Sequence, residues 1–214
     1  MAINTGEPLN GSIPLNSSLG FKILETSINC QRVQKYYTKQ LHPTFCGFCT
    51  LSIVLNTLFA DKYNWERSIS EKDVLFYPEM LDLTCNKRVH KTGITLDELK
   101  NVSERIFGLH VNVSFAGIDF SNAVEMRELM LSHLKKCNAI IACNVDTSFL
   151  FKQRKTGHIS PIGEYSYTED MFLFMDVTPG YDPIWVSSST LFNAMNTLDS
   201  HSKKKRGFLA FYAE

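Results

Sequence analysis

Apolar positions recur with a helical period through the first half of the chain and alternate or cluster at strand length in the second. The densest run opens at Cys46, where Phe48, Leu51, Ile53, Val54, Leu55 and Leu58 fit a helix buried nearly all round and reaching about Phe59. Residues 1–20 are rich in Asn, Ser, Gly and Pro and read as an extended arm. Phe21 to Tyr37 has helical character through Ile23, Leu24, Ile28, Val33, Tyr36 and Tyr37. After a polar loop at Asp61–Trp65, Ser70 and Asp73 form a capping box for a helical piece through Phe76. Pro78 interrupts that piece, and Met80, Leu81 and Leu83 are expected to pack. Thr95 and Glu98 form a second box, opening a helix with the stripe Leu96, Leu99, Val102 and Ile106 and a stop at Gly108.

The period then changes. Val111–Phe115 alternates as a strand, Ser121–Lys136 is an amphipathic helix, and Ala139–Val145, Met171–Val177 and Gly207–Tyr212 are apolar runs of strand length. Ser187–Leu198 reads as a helix capped by its leading serines. A helical N-terminal lobe followed by an antiparallel-sheet C-terminal lobe predicts an α+β fold, with 1–214 as a single domain.

Composition narrows the function classes. The 214 residues carry no formal net charge, so no field favours nucleic acid or an anionic membrane. The basic run Lys203–Arg206 is short and reads as a solvated turn. No apolar stretch approaches membrane-spanning length, and the first ten residues have neither a cationic start nor an apolar core of a signal peptide. A cytoplasmic, reducing setting is therefore expected. In it most of the six cysteines, Cys30, Cys46, Cys49, Cys85, Cys137 and Cys143, act as small core residues.

Cys46 differs from the other five. A thiol in the first turn of a helix faces unpaired N–H groups and the positive end of the dipole, and both favour thiolate. An activated Cys needs a base, and the base an orienting group. His158, between Gly157 and an apolar turn, is the candidate base. Asp176, embedded in an otherwise apolar run, is costly to bury unless paired, and a donated His158 Nδ1–H would pair it. Gln40, six residues ahead of Cys46, offers a side-chain amide to an oxyanion beside the Cys46 N–H.

The order Cys46, His158, Asp176 resembles the papain-like cysteine peptidase layout. Gln40 and Cys46-Gly47, Leu55-Asn56, Thr156-Gly-His-Ile-Ser-Pro-Ile-Gly163, Asp176-Val177 and Arg206-Gly-Phe208 sharpen the resemblance to phytochelatin synthase. That papain-fold family is a glutathione γ-glutamylcysteinyltransferase. The resemblance implies that Cys46 attacks the Cys–Gly bond of glutathione, with His158 as base, Asp176 as orienter and Gln40 as oxyanion donor. The γ-Glu-Cys thioester then passes to a second thiol peptide or to water. It further implies that Asp199 and Arg206 hold the γ-glutamyl α-amino and α-carboxylate groups, and that the Gly157 carbonyl accepts an N–H from the acyl group. No metal or organic cofactor is implied for the chemistry. Heavy-metal ions such as Cd and Zn enter as glutathione thiolates, and a homodimer is implied.

Three departures stand out. Glu164 replaces the family's usual second Gly, which predicts a narrowed or recharged site rim. Tyr165–Asp170 is more acidic than usual, which bears on the second-substrate site. The sequence ends at Glu214, like the short bacterial members in which glutathione hydrolysis competes with polymer formation. Two other readings of the same residues are a peptidase or deamidase acting on a protein, and a non-catalytic module binding soft metals through Cys46 and Cys49. The Cys46-x-x-Cys49 pair has no second C-x-x-C, so Cys49 is expected to pack one turn along the helix.

Overall fold

A computed structural model describes residues 6–9, 11–27, 33–77, 80, 89–135, 139–152 and 156–213. The readings placed on Ile28, Cys30, Pro78, Leu81, Leu83, Cys85, Lys136 and Cys137 lie outside the described residues. Among the described residues, seven strands form one antiparallel sheet in the order β1-β6-β5-β4-β3-β7-β2. They are β1 (Ile13–Pro14), β2 (His110–Phe115), β3 (Ala139–Asp146), β4 (Gly157–Ser166), β5 (Met171–Phe174), β6 (Ile184–Ser187) and β7 (Gly207–Tyr212). The α+β expectation holds, and no helix among the described residues is long and apolar enough to cross a membrane.

Strand alternation sends side chains to two separate cores. Ile140, Ala142, Ile159, Leu173, Leu209 and Phe211 face the N-terminal helices, whereas Ile141, Cys143, Ile162, Phe172, Phe208 and Ala210 face the opposite side. The N-terminal layer holds α1 (Ser18–Glu25), α2 (Val33–Tyr36), α3 (Cys46–Leu55), α4 (Glu71–Leu75), α5 (Val89–Thr92) and α6 (Leu96–Phe107). On the far face lie α7 (Ala123–Leu134) and α8 (Ser188–Met195). The sheet is thus the middle layer of three.

Helix α3 is buried at every position, as its unbroken apolar run requires. Thr50 Oγ1 donates to the Ile159 carbonyl at 3.1 Å and fixes α3 against β4. A π-helical turn, Asn56–Ala60, follows. The Asn56 amide grips both backbone groups of Ile69, donating to its carbonyl and accepting its N–H at 2.7 Å each. Both capping boxes form, at Ser70–Asp73 and at Thr95–Glu98, and Gly108 ends α6 with φ +62°.

The structure corrects four local expectations. The extended arm read over residues 1–20 is docked rather than only extended: Ile13 and Pro14 pair with Trp185 and Ile184 at the sheet edge, where a proline costs no ladder bond. Helix α1 starts at Ser18 because Ser17 caps it by accepting the Gly20 N–H. Gly20 lies so close to the Pro14 carbonyl that a Cβ there would sit 2.1 Å from it. The apolar turn expected after His158 is instead the long strand β4, whose pattern was hidden by Pro161, Gly163 and a bulge between Ile162 and Tyr165. Finally, β5 stops at Phe174, so Asp176 lies in the segment leaving the strand rather than inside it.

Candidate active site

Cys46 opens α3, His158 is the second residue of β4, and Asp176 follows β5, so two layers meet at the triad. All three are buried. His158 Nε2 donates to Asp176 Oδ1 at 2.9 Å, and the ring also hydrogen-bonds the Cys46 thiol. The nitrogen facing the carboxylate is therefore Nε2, not the expected Nδ1, which leaves Nδ1 for the sulfur. Asp176 Oδ1 also accepts the Thr178 N–H at 2.7 Å, and Val177 N–H bonds Ser160 Oγ at 3.2 Å.

The electrostatics favour an ion pair. Burial alone would raise the Cys46 thiol, but the His158 charge, its hydrogen bond and the Ile159 N–H, 3.5 Å from Sγ, together lower it. Burial would lower His158, yet Asp176 and Cys46 raise it to about 9. The main-chain donor on the sulfur thus comes from β4, which the helix-terminus reading of the sequence missed. Cys49 is fully buried, its thiol directed at the Thr38 carbonyl, and burial pushes its proton loss upward. The two thiols of the C-x-x-C have different partners, as a packed Cys49 requires.

Gln40 is buried, with its N–H bonded to the Val177 carbonyl at 2.7 Å. Its side-chain amide donates to the Pro43 carbonyl at 3.1 Å in the loop leading to Cys46. The second N–H of that amide remains for another acceptor.

Cys46, His158 and Ile159 line a cavity of about 410 Å³ together with Gly157, Asp199 and Arg206. Both Asp199 and Arg206 are only 8% exposed, and neither has an oppositely charged partner among the described residues. Arg206 spends one Nη1 hydrogen on the Leu198 carbonyl at 2.7 Å, while its Nε is buried without an acceptor. Asp199 accepts the His201 N–H at 2.9 Å and a long bond from Asn144 at 3.4 Å. Opposite charges buried in one cavity wall but unpaired with each other are costly unless a ligand completes them. Gly157 leaves room for the guanidinium: a Cβ there would lie 2.7 Å from Arg206 Nη2.

Sequence reasoning missed Lys91, Asn144, Asp146 and His201, which also line the cavity. Asn144 and Asp146 are placed by the β3–β4 register, which no local pattern encodes. Glu164 is corrected: it is not at the rim but 2% exposed on β4, reached by Gln34 of α2 at 3.4 Å. Among the described residues no cluster of His, Cys, Asp and Glu is arranged to hold a metal ion.

The fold and the Cys–His–Asp geometry define a protein built around a buried, activated thiol. The chain belongs to the phytochelatin synthase family, whose sequence model matches residues 8–208. It is 35% identical over 186 residues to glutathione gamma-glutamylcysteinyltransferase 1 of Triticum aestivum, covering 81% of this chain and 34% of that protein. The similarity to its namesake in Arabidopsis thaliana is 29% over 186 residues, covering 83% and 36%. The glutathione gamma-glutamylcysteinyltransferase of Schizosaccharomyces pombe is 26% identical over 206 residues, covering 92% and 48%. The chain thus spans between about a third and a half of the length of these relatives.

Proposed function

We propose that this protein is a papain-like thiol acyltransferase that cleaves the Cys–Gly bond of glutathione. The observation that carries the reading is the cavity itself, in which the nucleophile and base share one wall system with the buried, mutually unpaired Asp199 and Arg206. The zwitterionic head of a γ-glutamyl group needs one carboxylate and one fork-shaped cation, and a cavity of about 410 Å³ suits a tripeptide. The names of the relatives point to the same substrate.

In this mechanism Cys46 Sγ attacks the carbonyl carbon of the Cys–Gly bond, with the oxyanion held by the Cys46 N–H and the free N–H of Gln40. His158 Nδ1 gives its proton to the glycine nitrogen as the C–N bond breaks, leaving a γ-Glu-Cys thioester on Cys46. Asp176 holds the imidazolium throughout. The neutral imidazole next takes a proton from the α-amino group of a second glutathione, or from water, as that nitrogen or oxygen attacks the thioester carbonyl and the C–S bond to Cys46 breaks. Asp199 and Arg206 hold the α-amino and α-carboxylate groups, and the Gly157 carbonyl accepts from the acyl chain. The triad residues carry the chemistry without a resident metal, and Cd or Zn enters as a glutathione thiolate serving as acceptor. We also propose that it works in the cytoplasm as a homodimer, the dimer being what the family resemblance implies.

Product analysis of purified protein with glutathione, with and without Cd²⁺, tests the reading. Glycine with γ-Glu-Cys marks a hydrolase, and (γ-Glu-Cys)n-Gly oligomers mark a working transferase. Neither product would overturn glutathione as substrate and favour a protein substrate for the same triad. Gly157→Ala supplies a sharper check of the head-group site. Its methyl displaces the Arg206 guanidinium, and because that neighbour is a flexible side-chain end the fold should survive. The expected result is a KM for glutathione raised about tenfold with kcat within a few-fold of wild type, read from steady-state glycine release.

A further inference from the structure

The Asp176 main-chain carbonyl is held from the helical layer, outside the cavity. Tyr37 Oη and Lys39 Nζ both donate to it, Lys39 at 2.8 Å. Lys39 Nζ also donates to the Tyr37 oxygen and to the Tyr181 carbonyl, so all three ammonium hydrogens have acceptors. The next residue, Gln40, adds its N–H to the Val177 carbonyl at 2.7 Å. These bonds link the 37–40 segment to the 176–181 segment, and so join the layer that carries Cys46 to the segment that carries the orienting carboxylate.

We propose that Tyr37 and Lys39 are positioning residues for Asp176, and that the Lys39 ammonium supplies the fourth charge that makes the catalytic set neutral. The inference rests on the triad reading above. With a thiolate at Cys46, an imidazolium at His158 and a carboxylate at Asp176, the buried set alone carries one excess negative charge. A half-buried ammonium bonded to the Asp176 main chain cancels it. The other titratable groups around Lys39 do not replace it. Tyr37 stays neutral because burial and the nearby Asp176 and Asp182 hold its proton. Cys49 from α3 is neutral through burial, and Asp182 adds negative charge. Glu71 of α4 also faces this segment, accepting the Leu41 N–H at 3.1 Å. Burial draws Lys39 towards losing its proton, while Asp176 and Asp182 oppose this.

Removing the cation makes every nearby proton harder to lose, so both limbs of the Cys46 reactivity profile move to higher pH. Removing only the Tyr37 hydroxyl loosens Asp176 without changing charge. The test is the rate of Cys46 alkylation by iodoacetamide against pH, read by mass spectrometry, beside glutathione turnover. Lys39→Met should shift the acidic limb up by about one pH unit, Lys39→Arg should restore it, and Tyr37→Phe should slow turnover several-fold with the limb unmoved. Lys39→Gln, which keeps two donors and loses the charge, gives the same reading should the Met variant fold poorly. A Lys39→Met or Lys39→Gln profile superimposed on wild type overturns the inference. A wild-type limb at the ordinary thiol value, near 8.5, overturns the triad reading with it.

Discussion

Cys46→Ala is expected to stop glycine release from glutathione, lowering turnover by roughly 10⁴-fold or more, while the chain stays folded and any Cd²⁺ binding persists. The sulfur has a single route to the reaction, because Cys49 is buried against the Thr38 carbonyl and is one turn away on the helix. Ala suits the first turn of a helix and leaves α3 packed on β4 through Thr50. The wild-type pH profile is expected to tell the same story. The proposed mechanism needs Cys46 deprotonated and His158 protonated, so activity should rise through a lowered thiol and fall as pH passes about 9, where His158 loses its proton. A Cys46→Ala protein that still released glycine, or a profile rising through ordinary thiol pH, would sink the ion-pair mechanism.

Glu164→Gln is expected to stabilise the protein, and to do so only at higher pH. The carboxyl is 2% exposed, one of its oxygens has no partner, and burial raises its proton affinity to about 8. A folded-state value above the unfolded one near 4.3 means the native chain binds the proton more tightly, so stability falls as pH rises from about 4 to about 8. At pH 7 the buried carboxyl keeps its proton while the unfolded chain releases it, a difference that costs the native state on the order of 3 kcal/mol and that a neutral amide avoids. The Gln oxygen can still accept from Gln34. Thermal unfolding should give the variant a Tm roughly 6–12 °C above wild type at pH 7 and little difference at pH 4. A gap independent of pH would mean that packing, not charge, separates the two.

What could be read from residues alone follows from how local each signal is. The two capping boxes, the Gly108 stop and strand Gly207–Tyr212 are written in neighbouring residues, and they form where expected. Cys46, His158 and Asp176 were recognisable because each is chemically out of place in its surroundings, and the folded chain brings the three together. Strand β4 was missed because Pro161 and Gly163 normally argue against a central strand, whereas here Pro161 stays in register with Ala142 and Gly163 falls in the bulge. The ring nitrogen facing Asp176, the Ile159 donor and the buried seat of Glu164 depend on how β4 lies between α2, α3 and β5. No stretch of sequence states that arrangement. Lys39 carries no local signal for the same reason, since its three acceptors come from Tyr37 and from residues near the other end of the chain.

The separation between α3 and the sheet it rests on also governs the order of events during synthesis. Thr50 is tied to Ile159 across 109 positions, and Cys46 to the same residue across 113. The most apolar helix therefore leaves the ribosome long before β4 exists to cover it. Until then its best defence is the polar chain on either side and whatever chaperone binds it. The reactive thiol is at that stage an ordinary cysteine, because the imidazole and the amide that activate it have not yet been made.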